Sequence, residues 1–158
     1  MINQCAMTPL LAATKAHADG HLVFLGLGSN LGDRHWLLTS AYEEIEKLIG
    51  PIVGQSAFYE TKPWGFESDH DFLNSVVACT TDLSPRAVLY YTQQIERFLG
   101  RTRKSVDGIY HDRPIDIDIL LYDHAMIQAP DLLIPHPLIC ERDFVMRPLM
   151  EVFGLFWR

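Results

Sequence analysis

Cysteine is scarce in this chain: Cys5, Cys79 and Cys140 are the only three in 158 residues, and none forms a CxxC pair. They are odd in number and far apart in sequence, and they read as reduced thiols of a cytoplasmic protein. Long hydrophobic runs are also missing, since none approaches the roughly 20 residues that cross a bilayer. The opening "MINQCAMTPLLAATKAHADG" lacks a basic start, and its apolar run from Leu10 to Ala13 is too short for a signal peptide. Residues 1–20 are therefore read as a flexible N-terminal extension and 21–158 as a single domain. Basic residues number 13 against 20 acidic, and the net charge of −7 argues against a general nucleic-acid binder. There is no Walker A loop. "GLGSN" at 26–30 is neither GxGxxG nor followed by the required lysine, and by itself signals only a tight turn.

What is present is an ordinary globular composition, 48% hydrophobic and 21% charged, with enough chain for one substantial core. "HLVFLGLG" (21–28) reads as a first strand. Asp33 is placed to cap a helix running to about Ile49, with Trp36, Leu37, Ala41, Ile45 and Leu48 on one stripe, before Gly50-Pro51 stops it. "IVGQSAFYE" (52–60) and "FLNSVVACT" (72–80) read as the second and third strands. Ser84-Pro85 opens a second helix that ends at Gly100, and a polar loop over 101–114 leads to a fourth strand over 115–122. The order β-α-β-β-α-β is that of a ferredoxin-like α+β core, an antiparallel sheet with both helices on one face. The remainder predicts an extra C-terminal hairpin or short strand, a proline-pinned loop and a short helix.

The fourth strand, "RPIDIDILLYD", carries the clearest chemistry. Side chains alternate along a strand, so Asp116 and Asp118 share one face while Ile115, Ile117 and Ile119 share the other. A lone DxD also fits an edge strand with one wet face. Here the run is otherwise apolar and follows a helix end and loop that carry Arg97, Arg101, Arg103, Lys104 and Arg113. Paired carboxylates suit Mg²⁺, which takes oxygen ligands and is completed by waters and phosphates. Arginine forks match phosphate oxygens, although cations at a helix end also complement its dipole. Asn74 interrupts an apolar strand, and a buried amide needs partners; with Trp64, Phe66, Phe72 and Phe144 it suits a flat heterocycle with amide-like edges. His136, between two prolines, fits either a site or a loop cap. His17, His21, His35, His70 and His124 have no partner visible in the sequence and read as surface residues, and His111 in the basic loop is left open.

Five segments in series, "GLGSNLGD", "YETKPWGF…FLNSVV", "IERFLGRTRK", "RPIDIDILLYD" and "IPHP…RDFVMRPLMEV", resemble the 6-hydroxymethyl-7,8-dihydropterin pyrophosphokinase family from about Val23 to Glu151. The resemblance implies a ferredoxin-like enzyme of folate biosynthesis that uses ATP and two Mg²⁺ ions. It would move diphosphate to the pterin's hydroxymethyl oxygen and release AMP. Asp116 and Asp118 match the metal ligands, and with Arg101, Arg103 and Arg113 they form the implied catalytic set. Gln93, Glu96, Ile119, His136 and Arg142 match the ATP site, together with those arginines. Gly28, Ser29, Asn30, Thr61, Pro63, Trp64, Phe72, Asn74 and Phe144 match the pterin pocket, Phe72 and Phe144 as the two rings enclosing it. The implied partners are small molecules only, for a cytoplasmic monomer that binds neither nucleic acid nor membrane. Two departures stand out. Lys62 occupies a position where proline is common, and "SVDGIYHDR" is longer than usual, with Tyr110 nearest to a common tryptophan. A different class of function, a non-catalytic ferredoxin-like module holding nucleotide or RNA on the basic loop, fits the arginines but not the paired acids. A palm-type nucleotidyl transferase or cyclase fits the acids but would release pyrophosphate.

Overall fold

The computed structural model describes residues 20–101 and 109–155, so Arg103, Lys104 and residues 1–19 of the expected extension lie outside the described residues. The elements are β1 (His21–Ser29), α1 (Arg34–Leu48), β2 (Ile52–Gln55), β3 (Tyr59–Thr61), β4 (Phe72–Thr81), α2 (Pro85–Phe98) and β5 (Asp116–Tyr122). A hairpin of β6 (Ile127–Ala129) and β7 (Leu132–Ile134), a 3₁₀ turn (Ile139–Glu141) and α3 (Asp143–Gly154) complete the chain. The main sheet runs β2-β4-β1-β5, with every pair antiparallel and β3 also lying on β4. This is the ferredoxin-like βαββαβ order, with the extra hairpin and helix at the C-terminal end.

The helix ends form where the residue types require. Asp33 accepts from the Trp36 amide at 3.0 Å and Ser84 from the Ala87 amide at 3.2 Å, each relieving an orphan donor of the first turn. Beyond α2, Gly100 takes φ +99°, a left-handed conformation that suits glycine.

Three expectations are corrected. The inward stripe of α1 is Leu37, Leu38, Ala41 and Ile45, whereas Trp36 and Leu48 are 58% and 38% exposed. The stripe follows the i, i+4 spacing from Leu37 and passes on to buried Ile49, which leaves Trp36 and Leu48 off the buried face. The single strand expected over 52–60 breaks into β2 and β3, because the Ser56 side chain enters the ladder: its Oγ accepts from the Val76 amide at 2.9 Å. "GLGSN" is mostly strand, and the turn comes later, at Gly32 with φ +76°. His21 and His35, read as surface residues, are exposed, and each has a partner that only the fold reveals: His21 Nδ1 lies 2.6 Å from Asp123 Oδ2, and His35 stands edge-on to Phe58.

Alternation divides the core into two layers. Val23, Leu25, Leu27, Ile117 and Ile119 pack beneath α1 and α2. On the opposite face Leu22, Phe24, Val76, Ala78 and Leu120 meet Val145, Leu149, Val152 and Phe153 around α3, with the Phe24 and Phe153 rings stacked at 4.7 Å. Where the link from α1 to β2 runs against β4, backbone approaches backbone: a Cβ at Gly50 would lie 1.8 Å from Thr80 O. Gly50→Ala should therefore destabilise the fold by about 1–3 kcal/mol, the range for overpacking a filled site. Urea unfolding should show a lower midpoint with an unchanged slope; an unmoved midpoint would mean that this contact carries no stability.

Candidate active site

The α3 face of the sheet holds the candidate residues in register. Gly28 of β1 lies between Asn74 of β4 and Asp116 of β5, and Gly26 lies between Val76 and Asp118. The central strand thus has no side chains where its neighbours carry an amide and two carboxylates. A Cβ at Gly28 would sit 3.0 Å from Asn74 Oδ1 and 3.4 Å from the Phe72 ring, so glycine here leaves the floor open. A cavity of about 40 Å³ lies over this floor, lined among others by Thr61, Lys62, Trp64, Phe72, Asn74, Arg142 and Phe144. A wider cleft of about 430 Å³ opens beside it, bordered by Gln93, Glu96, Arg101, Ile119, Leu132 and His136. Tyr110, Arg113, Asp116, Asp118 and Arg142 line both. The acids therefore sit where the two spaces meet.

Among the described residues Arg101 is the nearest cation to the acid pair. Its Nη1 lies 2.6 Å from Asp116 Oδ1 and 2.7 Å from Glu96 Oε2, and it also reaches Ile115 O at 3.2 Å. Arg113 Nη2 stands 3.7 Å from Asp116 Oδ2. Burial opposes the charged form of Asp116, but the guanidiniums of Arg113 and Arg101 outweigh it and hold the carboxyl below its usual range. Asp118 fares differently. Burial, and then the charges of Asp116 and Glu96, push its carboxyl up to about 8. Two adjacent carboxylates, one kept ionised and one driven towards neutrality, form a site short of positive charge. Among the described residues no cluster of three His, Cys, Asp or Glu forms a closed metal cage. A divalent cation held here would complete its shell with waters or phosphate, which fits hard-cation chemistry.

The aromatic end is occupied by the protein's own arginines. Arg113 stacks over Phe72 at 4.9 Å, and Arg142 over Trp64 at 4.4 Å and Phe144 at 5.5 Å. Arg142 Nη2 donates to the Tyr110 hydroxyl at 3.0 Å. Nε of Arg113 and Nε of Arg142 are buried without a hydrogen-bond partner among the described residues, a donor arrangement that suits an anion. Asn74 Nδ2 donates to Thr61 Oγ1 at 2.6 Å, which orients the amide. His136 Nδ1 accepts from the Leu138 amide at 3.2 Å. Burial and then Arg142 lower this imidazole to about 4, so it is neutral near pH 7 and Nε2 carries the proton.

The structure thus gathers Gly28, Thr61, Trp64, Phe72, Asn74, Phe144, Gln93, Glu96, Arg101, Arg113, Asp116, Asp118, Ile119, His136 and Arg142 along the two connected spaces. Ser29, Asn30 and Pro63 do not line either space. Ser29 alternates to the helical face of the sheet. Asn30 instead fixes the strand-entry segment: its Oδ1 accepts from the Arg113 amide at 2.7 Å and its Nδ2 donates to Asp112 at 2.7 Å. Gly26, Val76, Leu120 and Val145 also line the smaller cavity and were not singled out from sequence. Alternation from Gly28 and Asn74 points to Gly26 and Val76, but Val145 depends on how α3 docks.

Residues 24–154 match the family model described as 7,8-dihydro-6-hydroxymethylpterin-pyrophosphokinase. The 2-amino-4-hydroxy-6-hydroxymethyldihydropteridine pyrophosphokinase of Porphyromonas gingivalis is 56% identical over 132 residues, covering 83% of this chain and 90% of the relative. The enzyme of that name from Aquifex aeolicus is 42% identical over 130 residues, covering 82% and 79%. A crystal structure described as HPPK-DHPS in complex with substrates superposes with a TM-score of 0.66 at 14% identity, covering 85% of this chain and 40% of that one. At that identity the likeness bears on the fold alone.

The elevated Asp118 carboxyl sets a pH dependence. A folded value near 8, above the ordinary carboxylate value of about 3.9, gives stability that is complete below about pH 4 and is lost as pH rises through about 8. His136, lowered to about 4, has the opposite slope up to its unfolded value of about 6.5. From about pH 6.5 to 8 Asp118 therefore acts without that opposition. Cation-free protein should lose thermal stability over that window, and Asp118→Asn should flatten the loss. Parallel melting profiles of the two proteins in EDTA would refute the assignment.

Proposed function

Because the chain belongs to the 7,8-dihydro-6-hydroxymethylpterin-pyrophosphokinase family, we infer that the two joined spaces are where it transfers diphosphate from ATP to 6-hydroxymethyl-7,8-dihydropterin. AMP and the pterin diphosphate leave, and the product serves folate biosynthesis. The observation that supports this placement is the shared border. Asp116, Asp118, Arg113 and Arg142 line both an aromatic cavity suited to a flat ring and a cleft within the usual 300–1,000 Å³ range for ligand sites.

We assign the ring to the space between Phe72 and Phe144, with the Asn74 amide and Thr61 hydroxyl at its edge and Gly28 beneath it. A cavity of about 40 Å³ holds little more than a water molecule or two, so Arg142 and Trp64 move aside when the bicyclic ring enters. Gln93, Ile119 and His136 border the nucleotide, and the neutral His136 presents its Nε2 proton as a donor. Arg113 and Arg142 exchange their ring faces for phosphate oxygens, a change that satisfies their unpartnered Nε donors. Arg101 adds a further cation beside the acids, and Arg103 is assigned to the same task from the family pattern.

Asp116 and Asp118 would hold two Mg²⁺ ions, which supply neutralisation of the phosphate charge and a template for in-line displacement. The protein contributes position and charge rather than a covalent intermediate, as phosphoryl transfer requires. Binding of small molecules without nucleic acid, by a cytoplasmic monomer, completes the reading; the net charge of −7 supports the first part. No helix among the described residues is long and apolar enough to cross a membrane.

The test is a nucleotide product assay. AMP should form from ATP only with Mg²⁺ and the hydroxymethyl pterin both present. Asp116→Ala or Asp118→Ala should lower kcat by at least about 100-fold, the scale for removing preorganised charge stabilisation. Release of ADP or pyrophosphate instead would reject diphosphate transfer, and an active Asp116→Ala enzyme would reject the metal assignment.

A further inference from the structure

Glu96 is 3% exposed, on a helix whose other inward residues are Val88, Thr92 and Ile95. Family resemblance assigns it to a nucleotide site, yet its Oε2 is engaged by the protein itself. It accepts from Arg101 Nη1 at 2.7 Å and from the Ile117 amide on β5 at 3.1 Å. The same Nη1 reaches Asp116 Oδ1 at 2.6 Å, so one guanidinium nitrogen bridges two carboxylates. The Arg101 side chain is 6% exposed, while that of Asp116 keeps 23% exposure. A cation approaching Asp116 competes with Arg101 for the same oxygen. If Asp116 were the only acid beside Arg101, cation capture would strand a buried guanidinium, which is strongly unfavourable. Glu96 offers it a second carboxylate on the enclosed side.

We propose that Glu96 is a positioning residue rather than a nucleotide ligand: it retains Arg101 when Asp116 turns to a divalent cation. The arginine thereby passes from counter-charge of Asp116 to phosphate-facing group beside the bound cation while staying paired throughout. The proposal rests on the reading of Asp116 as a magnesium ligand.

Mn²⁺ binding to the full chain without nucleotide, followed by electron paramagnetic resonance, tests it with Glu96→Gln, Arg101→Met and the double variant. Glu96→Gln should raise the Mn²⁺ Kd by about tenfold in the wild-type background, and by less than about twofold where Arg101 is already methionine. Equal weakening in both backgrounds would make Glu96 a remote charge only, and no weakening in either would make it irrelevant; both overturn the proposal. Binding of AMP in EDTA should stay within about twofold of wild type in Glu96→Gln, and a loss of tenfold or more would assign Glu96 to the nucleotide. Asp116→Asn is the separate control: unchanged Mn²⁺ binding there would remove the magnesium reading and this proposal with it. Wild-type protein with ¹⁵N-labelled arginine avoids any folding defect of the variants. The Arg101 Nη signals should remain rotationally restricted at saturating Mg²⁺, and averaging to those of a free guanidinium would overturn the proposal.

Discussion

Arg101, held between Glu96 and Asp116, sets the conditions for the rest of the site. Three charged groups drawn from α2, the segment after it and β5 meet where water is largely excluded. Removing one partner of such a buried arrangement costs about 3–5 kcal/mol, because it leaves an uncompensated charge. The Glu96 carboxylate also receives the Ile117 amide on the outer edge of β5, so the helix that presents the acid also fixes the strand that presents the aspartates. Asp118, which no cation among the described residues neutralises as closely, is left as the group whose charge burial and the neighbouring acids suppress.

The sheet converts this electrostatic constraint into a place for substrates. Alternation along β5 and the residue before it directs Ile115, Ile117 and Ile119 into the helical layer and two aspartates to the other face, while β1 contributes only hydrogen at Gly26 and Gly28. α3 covers the far part of that face with Leu149, Val152 and Phe153 and leaves the glycine end uncovered. The ring cavity and the wider cleft follow from that partial cover. Arginines parked on aromatic rings keep the cavity small, and cation–π contacts worth about 0.5–2 kcal/mol each are weak enough to be replaced by phosphate pairing.

Much of this was legible in the chain, because the signals involved are local. The period-two run at 115–122 placed Asp116 and Asp118 on one face, and the caps Asp33 and Ser84 fixed where the helices begin. Other features depend on distant partners. Which glycine faces which aspartate is set by pairing across more than eighty residues, and no local pattern reports it. Ser56 breaks a strand because Val76 offers an amide to its hydroxyl, which a pattern of apolar residues does not show. Trp36 and Leu48 satisfy a helical period in isolation, but the sheet selects the stripe through Leu37, Ala41 and Ile45. Asn30 and Ser29 belong to the right motif, yet their side chains serve the loop and the opposite face.

The bend between β2 and β3 links the two ends of α3. Near the helix start, Arg142 and Phe144 form one wall of the ring cavity. Two turns later Glu151 accepts from the Ala57 amide at 3.0 Å and from the Tyr59 hydroxyl, gripping the bend from which the Thr61–Trp64 wall departs. The helix therefore works as a caliper whose jaws are the two walls, and the spacing between them is set by a grip outside the cavity lining. Sequence drift at Glu151 or Tyr59 would alter the separation of these walls while leaving every residue that lines the cavity unchanged.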